Sequence, residues 1–246
     1  FVRVSYRDKL DDIVDLIFNK WKITAGTLCI SVIGGTIDFK MHHKEKNIFC
    51  QGLIKAAITT NALIITPGLN KGITSVIGDA IQYSQSYLYD KMKHNNFISC
   101  LGIAPWGYVK NRKILEFAKG RTVHYNVSNE VEKHQPISLN KNHTHYIFFD
   151  DGYRLQMTKK KVGYFRQALE NKISQKQGDR VGIPVVLLIV EGGHDIFIEA
   201  SRRVKEKVSI VVCEGTGKAS DIIGEAFREM QRICSRHYQT SDKNNQ

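Results

Sequence analysis

Proline is scarce in this chain, 4 residues in 246, and the 5 cysteines never come closer together than 21 positions. That spacing leaves no C-x-x-C pair, which excludes a zinc ribbon, a thioredoxin-type motif and the dense disulfide framework of a small secreted domain. A reducing cytosol is the expected compartment. No window holds the ~18 consecutive apolar residues of a membrane span, and the start, Phe1-Val2-Arg3-Val4-Ser5-Tyr6-Arg7-Asp8, is too charged for a secretory signal. Because the chain opens on Phe rather than Met, it reads as a piece of something longer, with any membrane span outside it. Long Pro- or Ser-rich linkers and internal repeats are also missing. One unit over residues 1–236 is expected, with room for two compact lobes, followed by a 237–246 tail with too little apolar surface to order itself.

Acidic residues are in deficit: 24 Asp and Glu face 36 Lys and Arg, a net charge of +12 that calls for an anionic partner. Between Arg154 and Arg180 lie eight basic residues and two acidic ones, half of the net excess. Arg166 falls there on a helical segment with Tyr164 and Phe165 beside it, and an Arg with an aromatic neighbour can grip a base by stacking and a diphosphate by paired hydrogen bonds.

Six short apolar runs are present, Leu28 to Ile33, Ala62 to Thr66, Phe97 to Ala104, His145 to Phe149, Pro184 to Val190 and Val208 to Cys213. Most end in a Gly-rich turn followed by a segment of helical period, the shape of repeated βα units. The continuous hydrophobicity of Val185 to Val190 fits a strand covered on both faces. Helices are expected where Leu10, Ile13, Val14, Ile17 and Trp21 share a face, with Asp8 as cap, and around Leu53, Ala56 and Ala57. Two more follow from Ile73, Val76, Ile77 and Ala80, and from Ile222, Ile223, Ala226 and Met230. The fold class is therefore α/β, an open parallel sheet with helices on both faces. Residues 107–135 and 152–161 read as excursions from it.

Four turns leave the carboxyl ends of expected strands: Gly34-Gly35-Thr36, Pro67-Gly68 to Gly72, Glu191-Gly192-Gly193, and Glu214-Gly215-Thr216-Gly217-Lys218. Ligands of open α/β sheets bind at that edge, where glycine admits close backbone approach and helix N-termini offer unpaired N–H groups to an anion. Lys218 is a second candidate cation, with a solvated helix-start lysine as the structural alternative. No turn is a strict G-x-G-x-x-G or G-x-x-x-x-G-K-[ST]. His143-x-His145, with Asp150-Asp151 five residues on, can be read as a metal site, or as polar residues that satisfy loop backbone at a strand entrance. No Ser-His-Asp order, H-E-x-x-H or nucleophile elbow is visible, and no Nudix-type run of Glu after a Gly.

Several blocks together carry a resemblance: Ile30 to Gly35, Gly52 to Ala57, Gly102 to Gly107, Asn142 to His145 through Asp150-Asp151-Gly152, Pro184 to Gly193, and Cys213 to Asp221. In order and spacing they resemble the cytosolic N-terminal homology region of melastatin-type transient receptor potential (TRPM) cation channels. The resemblance implies a Rossmann-like SLOG fold forming the first two homology regions of a homotetrameric channel at the cytosolic face of the plasma membrane. It is most like the ADP-ribose-gated member, in which a cleft of this region binds ADP-ribose.

Carried over by position, that ligand or a related adenine nucleotide would meet Gly34, Gly35, Thr36 and Ile37; Gly68, Asn70, Gly72, Ile73 and Thr74; Glu191, Gly192, Gly193 and Ile196; and Glu214, Gly215, Gly217 and Lys218. Arg166 matches the Arg that stacks on adenine, and Lys218 stands where the family has an Arg. Pro67 replaces a family Gly, removing one backbone N–H from the cradle. The aromatic that faces the Arg is replaced by Lys159, or by Met157 if an insertion falls later, with Tyr153 or Tyr164 as substitutes.

The implied role is non-catalytic, with no cofactor or metal, no nucleic-acid partner, and contact with the membrane only through the rest of the chain. Three alternatives stand beside it. One is a subunit-contact domain without ligand. Another is a SLOG-type nucleotide phosphoribohydrolase, for which Glu191-Gly192-Gly193 through Glu199 keeps two glycines and the final Glu. The last is nucleic-acid binding from charge alone.

Overall fold

The computed structural model describes residues 1–23, 26–35, 39–91, 98–118, 120–128, 132, 134–152, 159–178 and 180–243; of these, the side chains of 85–91, 159 and 236–243 are left out of account. Seven strands, β1 (Val2–Ser5), β2 (Cys29–Gly34), β3 (Leu63–Thr66), β4 (Cys100–Pro105), β5 (His145–Asp150), β6 (Val185–Val190) and β7 (Ser209–Cys213), form one sheet. Its order is β1-β5-β4-β3-β2-β6-β7 and every pairing is parallel. Six of these strands fall on the expected apolar runs. The seventh, β1, is an edge strand of four residues in which polar and apolar residues alternate, so it lacks the continuous hydrophobic run that marks a strand buried on both faces.

Helices cover both faces because side chains alternate along each strand. Cys29, Leu63, Ile65, Leu101, Ile103, Ile147 and Val185 face α1 (Leu10–Asp15), its continuation as a π-helical turn (Leu16–Lys20), and α5 (Lys159–Ser174). On the same side, Ile33, Leu187 and Ile189 meet α6 (His194–Lys205) and the start of α7 (Lys218–Lys243). The opposite residues, Ile30, Val32, Ile64, Cys100 and Val190, pack on α2 (His43–Thr60) and α3 (Gly72–Lys91). The excursion after β4 holds a 3-10 turn (Trp106–Tyr108) and α4 (Arg112–Glu116), and builds a further core around Trp106, Tyr108, Leu115, Ile137, Leu139 and Phe148.

One expectation is corrected. Asp8 does not cap α1: its carboxylate accepts hydrogen bonds from the Ser5 N–H at 2.6 Å and the Ser5 hydroxyl at 3.0 Å, closing the turn after β1, while Lys9 occupies the cap position. The backbone of α7 runs to Lys243. Phe97 and most of the 152–161 excursion lie outside the described residues.

Candidate functional site

The chain adds strands in one direction from β2 through β3 and β4 to β5, then returns to lay β6 on the other side of β2. Ligands of open α/β sheets settle in the crevice that such a reversal leaves at the strands' carboxyl ends. Here that crevice lies between the turns after β2 and β6. Gly34 and Gly35 have φ of +111° and +54°. A Cβ on Gly34 would lie 1.9 Å from the Val190 carbonyl oxygen, and one on Gly35 would lie 2.5 Å from the Ile73 nitrogen at the start of α3. The Gly35 N–H donates to the Val190 oxygen at 2.8 Å. Two expected site segments, Gly34-Gly35 and Gly72-Ile73, are thus in direct backbone contact beside β6.

The turn after β6 meets the turn after β7. Glu191 and Lys218 both adopt left-handed backbone, with φ of 56° and 51°, and their side chains pair at 2.7 Å. Non-glycine residues reach that region only where surrounding contacts hold them. The Glu191 N–H donates to Thr216 Oγ1 at 2.8 Å, and the Glu191 carbonyl accepts from the Ser220 N–H at 3.0 Å and Ser220 Oγ at 3.1 Å. The Gly215 and Gly217 N–H groups both donate to the Asp221 carboxylate, at 2.8 and 3.2 Å, so this turn points its donors at the chain's own anion. Glu214 pairs with Arg228 at the surface. Gly193, by contrast, is the N-cap of α6 and brings no capping side chain of its own, and Gly192 packs on Ile196.

Arg166 is buried on α5 and held by carboxylates. Its Nη2 donates to Glu199 of α6, and its Nε lies 3.4 Å from Glu170 Oε1. Glu170 in turn accepts from Ser31 Oγ of β2 at 2.5 Å and from Arg203 Nη2 of α6 at 2.6 Å. Burial pulls the Arg166 guanidinium down, but Glu199 and Glu170 overcome it and hold the charge above the usual arginine value.

The aromatic neighbours expected at Arg166 go elsewhere, since successive helical residues point 100° apart. Phe165 enters the core with its ring 4.8 Å from Phe149, and Tyr164 lies under the Arg202 guanidinium at 4.4 Å. The basic stretch from Arg154 to Arg180 also disperses: Lys172 pairs with Asp11 at 2.9 Å, Lys161 with Asp151 at 3.8 Å, and Arg180 covers the Phe18 ring at 4.6 Å. A shallow basic depression of about 580 Å³, lined by Lys110, Arg112, Lys113 and Glu132, belongs to the excursion after β4 and shares no residue with the crevice.

The turn after β3 is braced from the 137–140 segment. The Asn70 N–H donates to the Ser138 oxygen at 2.7 Å, Asn140 Nδ2 to Asn70 Oδ1 at 2.9 Å, and the Asn140 N–H to the Gly68 oxygen at 3.0 Å. Thr74, in the first turn of α3, is buried. Thr36, Ile37, Met157 and Tyr153 lie outside the described residues.

His143 belongs to this brace. Its Nε2 lies 2.6 Å from Thr66 Oγ1 and its Nδ1 3.1 Å from Asn140 Oδ1, so its partners assign a neutral ring with Nδ1–H donating to the amide. His145 leans instead on Trp21, ring centres 4.9 Å apart. Among the described residues no three His, Cys, Asp or Glu side chains are arranged to hold a metal. Burial lowers the His143 pKa from 6.5 to about 4. A ring that stays neutral in the fold but charges in the unfolded chain gives stability that is present above pH 6.5 and is lost as pH falls. The expected loss from this group is roughly 3 kcal/mol by pH 4. Urea unfolding at pH 7 and pH 4 should show it, and His143→Gln should flatten the pH dependence by about that amount.

Sequence reasoning missed Glu170 and Arg203 as site-framing residues and considered Glu199 only as a hydrolytic carboxylate. A signal was present: Arg166-x-x-x-Glu170 and Glu199-x-x-x-Arg203 are two pairs at i,i+4 in opposite order, the spacing that brings charges onto one helix face.

Comparison with known proteins agrees with this architecture, since residues 1–244 match the family described as SLOG in TRPM. The chain belongs to that family. It is 38% identical over 236 residues to transient receptor potential cation channel subfamily M member 6 of Homo sapiens, 39% over 236 residues to member 1 of Mus musculus, and 35% over 239 residues to member 7 of Rattus norvegicus. These matches cover 93 or 94% of this chain and 11 to 14% of those relatives. The SLOG-in-TRPM assignment confirms the expected Rossmann-like α/β fold. Among the described residues, no helix is long and apolar enough to cross a membrane.

Proposed function

We propose that this SLOG domain is the cytosolic ligand-sensing part of a TRPM-type cation channel and binds ADP-ribose or a related adenine nucleotide in the crevice at the strand carboxyl ends. The observation that carries the reading is the switch point itself. The Gly34-Gly35 turn, the start of α3 and the Glu191-Gly193 turn converge there, and the N-cap of α6 is a glycine, Gly193, which brings no side chain of its own to the helix start. Backbone N–H groups and the helix dipole suit a phosphate at that place. The role is non-catalytic: a ligand that binds one conformation better than another biases an equilibrium, and a channel can read that bias as opening.

Calorimetric titration of the 246-residue chain with ADP-ribose, ADP and AMP tests the reading. Saturable binding tighter than about 1 mM, roughly −4 kcal/mol, is expected for at least one of them. Arg166→Gln should weaken it about tenfold or more, ~1.4 kcal/mol. Flat titrations with all three would overturn the proposal, and release of ribose 5-phosphate from AMP would replace it with the hydrolase reading.

A second reading, a subunit-contact domain of a homotetramer, is favoured by α7. Ile222, Phe227, Met230 and Ile233 are each half exposed or more on that helix, an apolar stripe larger than a solvated surface helix needs. Self-association of the chain in sedimentation together with flat titrations would favour this reading over the first.

A further inference from the structure

We propose that Glu199 is a built-in competitor for the ligand: it occupies the Arg166 guanidinium in the empty domain and must leave when an anionic or aromatic ligand group takes that guanidinium. The inference deepens the nucleotide-binding reading above and rests on it.

The two carboxylates on Arg166 are not equivalent. Glu170 is fully buried and doubly anchored, by Ser31 Oγ at 2.5 Å and Arg203 Nη2 at 2.6 Å. It is part of the frame. Glu199 sits at the cluster's edge with 15% of its side chain exposed, and its one ionic partner among the described residues is Arg166. Besides Arg166, the α5 position that faces it is Gly163, where an added Cβ would lie 4.0 Å from Glu199 Oε2, so no side chain at that position pins the carboxylate. Glu199 can rotate outward without disturbing the core; Glu170 cannot.

Charge balance then forces the exchange. Arg166 and Arg203 already face Glu170 and Glu199 within a space from which water is largely excluded, with the partly exposed Glu206 a third carboxylate 3.4 Å from Arg203 Nη1. A phosphate added to Arg166 with Glu199 still in place would leave surplus negative charge in a desolvated cluster, which is strongly unfavourable. Among the described residues, Arg166 Nε makes no hydrogen bond although the side chain is more than nine-tenths buried, its closest carboxylate oxygen being Glu170 Oε1 at 3.4 Å, so it keeps a donor that a ligand could take.

Glu199 also lies on α6, less than two turns from its Gly193 N-cap. One ligand that places an anion at Gly193 and a second group on Arg166 would act on both ends of this segment and free α6 from α5. That supplies the two states the sensing role requires: one with Glu199 on Arg166, which excludes the ligand, and one with Glu199 released, which binds it.

The experiment compares wild type with Glu199→Gln, and with Glu199→Asp as the variant that keeps the charge but shortens its reach. ADP-ribose affinity is read by calorimetry. Access to Arg166 is read independently, as the rate of its modification by phenylglyoxal followed by peptide mass spectrometry. Removal of the competitor should raise ADP-ribose affinity about tenfold and speed Arg166 modification several-fold, with Glu199→Asp intermediate in both. Unchanged or weaker affinity together with an unchanged modification rate would overturn the competitor role while leaving nucleotide binding intact. Faster modification with no ADP-ribose binding in any variant would instead defeat the nucleotide reading, and the competitor role with it.

Discussion

Replacing Arg203 with methionine is expected to lower the stability of this domain by about 3–5 kcal/mol, the usual consequence of stripping one partner from a buried ion pair. Arg203 is completely buried between α6 and the sheet; its Nη2 reaches Glu170 at 2.6 Å and its Nη1 reaches Asn171 Oδ1 at 3.0 Å. Burial already pushes the Glu170 carboxyl up against the pull of Arg166 and Arg203. With Arg203 gone, a carboxylate at the centre of the fold keeps, among the described residues, only Arg166 and the Ser31 hydroxyl. A domain with the usual 5–15 kcal/mol of stability would lose a large fraction of it. The double variant Glu170→Gln, Arg203→Met separates a broken pair from lost packing. If the penalty is an orphaned buried charge, the double variant is more stable than Arg203→Met alone, because the fully buried carboxylate at position 170 is then gone and only the partly exposed Glu206 loses an ionic contact. Urea midpoints of the three chains measure this. A double variant no better than the single would mean that Arg203 acts through its packing.

How much of this could be read beforehand depended on whether the signal was local. Val185 to Val190 declares a buried parallel strand by itself, and Ile73, Val76, Ile77 and Ala80 declare one face of α3. The glycine turns were legible because left-handed backbone selects glycine, and their gathering at one edge follows from all strands being parallel. What stayed hidden was pairing between distant segments. Ser31, Glu170 and Arg203 meet only because α5 and α6 both lie over β2, and no local pattern says that 139 residues of chain will close to a 2.5 Å hydrogen bond. The same limit explains Arg166 and Asp8. Their chemistry was apparent from the sequence, but their partners, Glu199 and Ser5, depend on how α6 and the turn after β1 are placed.

Gly34→Ala tests the other determinant of the crevice, its backbone, and the expected outcome is a loss of roughly 3–5 kcal/mol from strain and overpacking combined. Two physical terms add. The residue sits at φ +111°, outside the regions an L side chain adopts at low cost, and the new methyl would begin 1.9 Å from the Val190 oxygen, well inside contact distance. Relief requires moving the end of β2 away from β6, yet the Gly35 N–H is hydrogen-bonded to that same Val190 oxygen and β2 pairs with β6 along its whole length. Neither strand can yield without breaking the ladder at the switch point. Gly52→Ala in α2 is the matched comparison, because nothing lies within 4 Å of the added methyl and an alanine lowers the entropy of the unfolded helix; it should stabilise by about 0.4–1 kcal/mol. The two substitutions add the same atoms to the same chain and should shift the urea midpoint in opposite directions. A Gly34→Ala midpoint close to wild type would show that β2 and β6 are not locked together at the crevice. The site would then be a yielding gap between strands, and the convergence of glycine turns would lose its force as an argument for a preformed anion cradle.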